Sequence, residues 1–128
     1  MMDLQVSGFD WDGGNRAKCQ KHGLSIEQIE SFFANNPRTA PDLKHSSDED
    51  RFIAIGRIAG RPVFVGFTIR AQNNRRFIRP VTARFMHAKE VAAYEKESSA
   101  PEIGIASRSL FGSRPVRFRF LTVQTGKV

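Results

Sequence analysis

Cysteine is almost missing from this chain: Cys19 is the single one in 128 residues. An internal disulfide is therefore excluded, and nothing argues for an oxidising compartment. Long apolar runs are missing as well. No stretch approaches the roughly 20 residues that a membrane span needs. The opening Met1-Met2-Asp3-Leu4-Gln5 has no basic region followed by an apolar run, so no signal peptide is expected. Repeats and low-complexity tracts are absent too. These absences point to a cytoplasmic protein that makes no use of a membrane. Acid is missing from the middle of the chain: residues 51–89 hold nine Lys and Arg, eight of them Arg, and no Asp or Glu. Asp48-Glu49-Asp50 is the only acidic cluster, and it reads as solvated loop. Two-metal hydrolysis wants several converging carboxylates, so this sequence is poorly stocked for it.

What remains is an ordinary globular composition, 40% hydrophobic and 26% charged, of a length suited to one domain. Eleven Phe supply a modest core. The net charge is +7, and the one-signed central block will carry a positive potential over whatever surface it forms. Arginine's planar fork suits phosphate better than a lysine point charge does. A polyanion or an acidic protein is the expected partner; a solvated basic surface is the plainer alternative.

Patterning predicts an α+β order of helix, helix, meander and helix. Phe9-Asp10-Trp11-Asp12 alternates like a short strand. Residues 14–22 form a polar helix capped by Asp12 or Asn15, and Gly23 sits at its left-handed stop. Ser25-Ile26-Glu27-Gln28 is a capping box, and Ile26, Ile29, Phe32 and Phe33 give the second helix one apolar face. Asn35-Asn36-Pro37 stops it. Residues 37–50 read as a polar loop. Strands follow over 51–58, 62–70 and 77–85, joined by Gly and Asn turns. Val63, Val65, Phe67 and Ile69 share one face of the second strand, with Phe64, Thr68 and Arg70 on the other. In the third, Ile78, Thr82 and Arg84 lie opposite Phe77, Val81 and Ala83, and Pro80 implies an edge or a bulge. Residues 87–97 form the last helix. From Ser98 the composition changes, so a boundary is expected there: a domain over 1–97 and an extension over 98–128. Residues 116–120 alternate like a strand, so the extension is either an added strand or a poorly ordered appendage, with the second favoured.

The segments "FDWDGGNRAKCQKHGLS", "HSSDEDRFIAIGR", "VFVGFTIR" and "RPVTARFMHAKEVAAYE" resemble, in order and spacing, the BrnT family of toxins from bacterial type II toxin–antitoxin systems. The resemblance runs from about Phe9 to Glu97. It implies a RelE-like fold, with two N-terminal helices and a C-terminal helix packed on a small antiparallel sheet. It also implies an endoribonuclease that arrests translation, and a BrnA-like antitoxin through which alone the pair meets operator DNA.

Metal-independent RNA cleavage uses the 2′-hydroxyl as nucleophile. It needs a base, an acid for the leaving oxygen, and cations to steady the phosphorane. Histidines and arginines supply these, so no metal or cofactor is expected. Lys21 and His22 make sense as cations at a helix end; the resemblance also places them in the site. Arg51 opens the first long strand, where it reaches phosphate or a rim carboxylate at Asp48 or Asp50. Arg70 and Arg84 lie on faces opposite the apolar stripes, and Arg84 is the first choice for a phosphate clamp. His87 at the start of the last helix suits a base, with helix surface as the plain alternative. The expected catalytic set is His22, Lys21, Arg51, Arg84 and His87. Arg70, Arg79, Lys18 and His45 are expected to hold RNA phosphate. The rival reading is a non-catalytic basic module that binds nucleic acid or docks an antitoxin. Cys19 and His22 share a helix face, but no further ligands are spaced for zinc. Cys19 reads as a small buried residue, and Tyr94 as core.

Overall fold

Residues 51–85 form a three-stranded meander whose hairpins close on two-residue turns. Strand β4 (Arg51–Ile58) turns at Ala59 and Gly60, with φ of 51° and 81°, into β5 (Arg61–Gln72). Strand β5 turns at Asn73 and Asn74, φ 52° and 64°, into β6 (Arg75–Phe85). Two left-handed residues in sequence are the turn whose twist matches that of the strands it joins. The computed structural model describes residues 2–42, 44, 49–99 and 116–120.

The chain opens on strands, not on helices. β1 (Met2–Val6) and β2 (Gly8–Phe9) precede α1 (Gly13–Gln20) and α2 (Ile26–Ala34), and β3 (Arg38–Pro41) follows them. α3 (Ala88–Ser99) and β7 (Val116–Phe120) come after the meander. The main sheet has the order β2-β6-β5-β4-β3, antiparallel except that β2 runs parallel to β6. β1 and β7 form a second, parallel sheet. The expected architecture, two N-terminal helices and a C-terminal helix on a small antiparallel sheet, is thereby corrected. Strands dominate, and the N-terminal segment is strand-rich. The physical reason is that β1, β2 and β3 are short and pair with distant partners. Such strands are selected by an open backbone edge, which leaves no local periodicity. β3 in particular lies within the segment expected to be loop.

Both helix starts are written locally. Asp12 caps α1 by accepting from the Asn15 amide at 3.0 Å, and its own amide donates to the Asn15 side chain at 2.7 Å. Ser25 and Gln28 form the same reciprocal box on α2, at 2.9 and 3.1 Å. Asn15 is buried, and its side-chain amide donates to the carbonyls of Asp10 and Pro80 at 3.0 and 2.8 Å, which pins α1 to β6.

The main core lies on one face of the sheet. Phe33 on α2 meets Phe67 of β5 and Phe118 of β7 edge to face, with ring centroids 5.1 and 5.4 Å apart. Phe9 stacks on Phe120 at 5.3 Å. Within residues 98–128, therefore, Val116–Phe120 supplies a strand whose Phe118 belongs to the core. The opposite face carries a smaller cluster, in which Met86 and Tyr94 pack on Ile55, flanked by Ile53, Phe64 and Val91. α3 thus covers one end of that face.

One register shift decides which β6 side chains face where. Gly66 pairs with Thr82 but Phe67 pairs with Pro80, so Val81 is an extra, bulged residue. The bulge puts Ile78 in the core together with Ala83, and leaves Thr82 and Arg84 on the opposite face. Strict alternation groups Ile78 with Thr82 and Arg84; the extra residue beside Pro80 breaks that phase.

Candidate functional site

The sheet face that α3 only partly covers carries polar and cationic side chains beyond the reach of that helix. Cross-strand partners point to the same side, so the register groups Arg51, Thr68 and Arg79 in one row, with Gly66 beside Thr82 and Phe64 beside Arg84 in the rows that follow. This face of the sheet, with the N-terminus of α3 at its rim, is the candidate site.

Arg84 leaves the end of β6 and meets the first turn of α3. Its guanidinium donates to both carboxylate oxygens of Glu90, at 2.8 and 3.0 Å. It also lies over the Phe64 ring, 4.6 Å from the centroid. Glu90 in turn accepts from the His87 backbone amide at 2.8 Å, the three-residue reach-back of a helix start. The His87 ring nitrogen Nδ1 stands 3.7 Å from the same carboxylate. The hydrogen bond from Arg84, helped by the His87 amide, holds the Glu90 carboxyl down at about 2. The same pairing raises Arg84 above its ordinary value. A histidine, a carboxylate held ionised at neutral pH and an arginine are thus joined at one helix end, with the imidazole exposed.

The centre of the face is tighter. A Cβ on Gly66 would come within 3.0 Å of Thr82 Cγ2 and 3.4 Å of Arg51 Nη2, so the missing side chain makes room for the Arg51 guanidinium. Thr68, across the strand pair from Arg51, is 5% exposed, and its hydroxyl makes no hydrogen bond within the described residues.

The other expected residues are more dispersed. Arg70 bridges Glu49 at 2.9 Å, with both side chains around 40% exposed, so that pair is weak and readily exchanged. Arg79 is held between Asp12 at 2.8 Å and Asp10 at 3.6 Å, which favours α1 docking over a free cation. The Asn15 amide and then Arg79 lower the Asp12 carboxyl below its ordinary range. Lys18, Lys21 and His22 lie on or just past the last turn of α1 and are exposed. No hydrogen bond or ion pair within the described residues links them to Arg84, His87 or Glu90. His45 lies outside the described residues. Cys19 is fully buried, and burial pushes its thiol up to about 11. No three His, Cys, Asp or Glu side chains converge on a metal-sized point among the described residues. No helix among them is long and apolar enough to cross a membrane.

Two residues were missed from the sequence. Glu90 carries a readable signal, since it stands three positions after His87 where a helix begins. Gly66 carries none: its role emerges only when Arg51 and Thr82 are brought over it by pairing.

A search of curated proteins returns no match. The family model of the ribonuclease toxin BrnT, of type II toxin–antitoxin systems, matches residues 11–90. That span begins at Trp11 and ends on Glu90, and so includes α1, the whole meander and the Arg84–His87–Glu90 group. The chain belongs to the BrnT family, the ribonuclease toxins of type II toxin–antitoxin systems, whose members act on RNA and are held by an antitoxin.

Proposed function

We propose that this toxin is a metal-independent endoribonuclease that arrests translation, and that the joined Arg84, Glu90 and His87 are the heart of its site. The single observation that carries the reading is the carboxylate of Glu90, which touches the arginine with both oxygens and the histidine with one. In such a site His87 takes the proton of the 2′-hydroxyl. The new O2′–P bond forms as the P–O5′ bond breaks, leaving a cyclic phosphate and a 5′-hydroxyl. A second proton-bearing group protonates the departing oxygen, and His22 or Lys21 is assigned that part by its family segment. Arg84 and Arg51 steady the charge that builds on the phosphorane. Arg70 exchanges Glu49 for phosphate, since its present pair costs little to break. Lys18 and His45 are assigned to the RNA backbone around this centre, whereas Arg79, engaged by Asp10 and Asp12, serves to dock α1. A requirement for the 2′-hydroxyl makes RNA, and not DNA, the substrate.

The partner in this reading is a BrnA-like antitoxin whose acidic surface covers the basic face; operator DNA is met only through it. The toxin acts in the cytoplasm, where its substrate is. The test is cleavage of single-stranded RNA by purified protein in EDTA. His87→Ala should lose at least ~10² in rate. Activity that emerges only when magnesium or manganese is added refutes the mechanism. RNA binding without cleavage in any condition favours the non-catalytic module.

A further inference from the structure

The tip of the β5–β6 hairpin holds a second basic site, away from Arg84. A cavity of about 420 Å³ opens there, lined by Gln5, Ser7, Ala71, Asn74, Arg75 and Arg76. The Ser7 amide donates to the Arg76 carbonyl at 2.7 Å, which fixes the N-terminal segment as one wall. Asn74, the second residue of the tight turn, lines it as well. The cavity's polar side chains are amides, a hydroxyl and two guanidiniums, and among the described residues no carboxylate lines it.

That lining contrasts with the surroundings of four other strand arginines. Arg57, Arg70, Arg79 and Arg84 each sit on a carboxylate. Arg75 and Arg76 are exposed and meet no acid among the described residues. Neighbours on a strand point to opposite faces, yet both of these line one cavity, so they flank it from two sides. Folding has given those four arginines carboxylates; Arg75 and Arg76, like Arg38 and Arg61, meet none among the described residues, and they alone stand side by side on a cavity.

We propose that the cavity is a phosphate subsite for the backbone of a bound RNA, distant from the bond that is cut. The proposal rests on the ribonuclease reading. Arg75 and Arg84 are nine strand steps apart on β6, roughly 30 Å at 3.3 Å per residue. An RNA that reaches both spans several nucleotides: it runs past Thr82, Thr68 and Arg79 on the polar face and turns over the hairpin tip to the other side of the strands, where Arg76 pairs with Ala71. A dinucleotide at Arg84 does not reach the hairpin tip.

The double variant Arg75→Ala/Arg76→Ala in the full chain tests this. On a long single-stranded RNA, KM should rise about tenfold while kcat holds, and the loss should shrink to about twofold or less on a dinucleotide. A fluorescent RNA with every 2′-hydroxyl methylated cannot be cut and reads binding alone. Its salt dependence should flatten by about 0.7 in slope for each phosphate that the variant no longer neutralises. An equal loss on long and short RNA overturns the proposal, as does an unchanged slope. So does a variant whose only defect is weaker binding of the antitoxin, because the pair then serves protein docking. If the wild-type protein cuts no RNA at all, the ribonuclease reading fails, and the binding arm still decides whether the hairpin tip holds an RNA backbone. Both arginines are exposed, so the melting temperature should be unchanged; a folding defect would show there first.

Discussion

Replacing Glu90 by glutamine should separate what its charge does from what its shape does. Glutamine keeps an oxygen for the His87 amide and nearly the same volume. It removes the charge that meets both guanidinium nitrogens of Arg84 at 2.8 and 3.0 Å. The carboxyl is held at about 2 in the folded chain against an ordinary 4.5. The full difference corresponds to ~3 kcal/mol. Each side chain of the pair is a little over a quarter exposed, so screening reduces this to ~1–2 kcal/mol. Arg84 remains stacked on Phe64 in the variant, which limits the loss further. The expected result at pH 7 is a fall in Tm of roughly 4–10 °C.

The sign of the pH dependence follows from the direction of the shift. A carboxyl whose folded value is depressed stabilises the fold fully above its unfolded value. That contribution is lost as pH falls from about 4.5 towards about 2. Thermal unfolding followed by circular dichroism should show the gap between wild type and Glu90→Gln at pH 7. The gap should narrow steadily below pH 4.5 and close near pH 2. Equal melting temperatures at pH 7 refute the reasoning. A gap that is the same at pH 7 and pH 2 also refutes it, since the effect would then be packing.

Phe118→Ala should cost ~3–5 kcal/mol, because the ring is 5% exposed and packs on Phe33 and Phe67; a chain ending at Glu97 loses β7 as well and should unfold at lower urea, and an unchanged midpoint would show β7 to be dispensable. Ala59→Asn should stabilise by ~0.5–1 kcal/mol, since alanine is strained at φ 51° whereas asparagine tolerates that region, as Asn73 and Asn74 do in the next hairpin; a lower urea midpoint contradicts this. Cys19 should resist a disulfide thiol reagent at pH 8 in the native protein and react at once in urea, because it is fully buried with its thiol pushed up to about 11; rapid native labelling would mean that α1 opens readily.

The sequence by itself determined the features that depend on near neighbours. The capping box of α2, the Gly23 stop, the apolar face of α2 and the hairpin meander follow from residues a few positions apart, and each is where the pattern puts it; of the two caps open to α1, the structure uses Asp12. The acid-free block and the ordered family segments were legible too, and they point to a ribonuclease toxin without any coordinate. Only the tertiary structure decided the strand-rich N-terminus, β3, and the pairing of β1 with β7. These pairings join residues up to about a hundred positions apart, and a strand of two to five residues has too little periodicity to announce its partner. The site divides in the same way. Arg84 and His87 were legible as residue types in a basic block. That Glu90 binds both, that Val81 bulges and so turns Ile78 into the core away from Thr82 and Arg84, and that Arg79 is taken by Asp10 and Asp12 were not. Local chemistry fixes which groups are available, but a charge finds its partner across the sheet, and only the folded register brings the two within bonding distance.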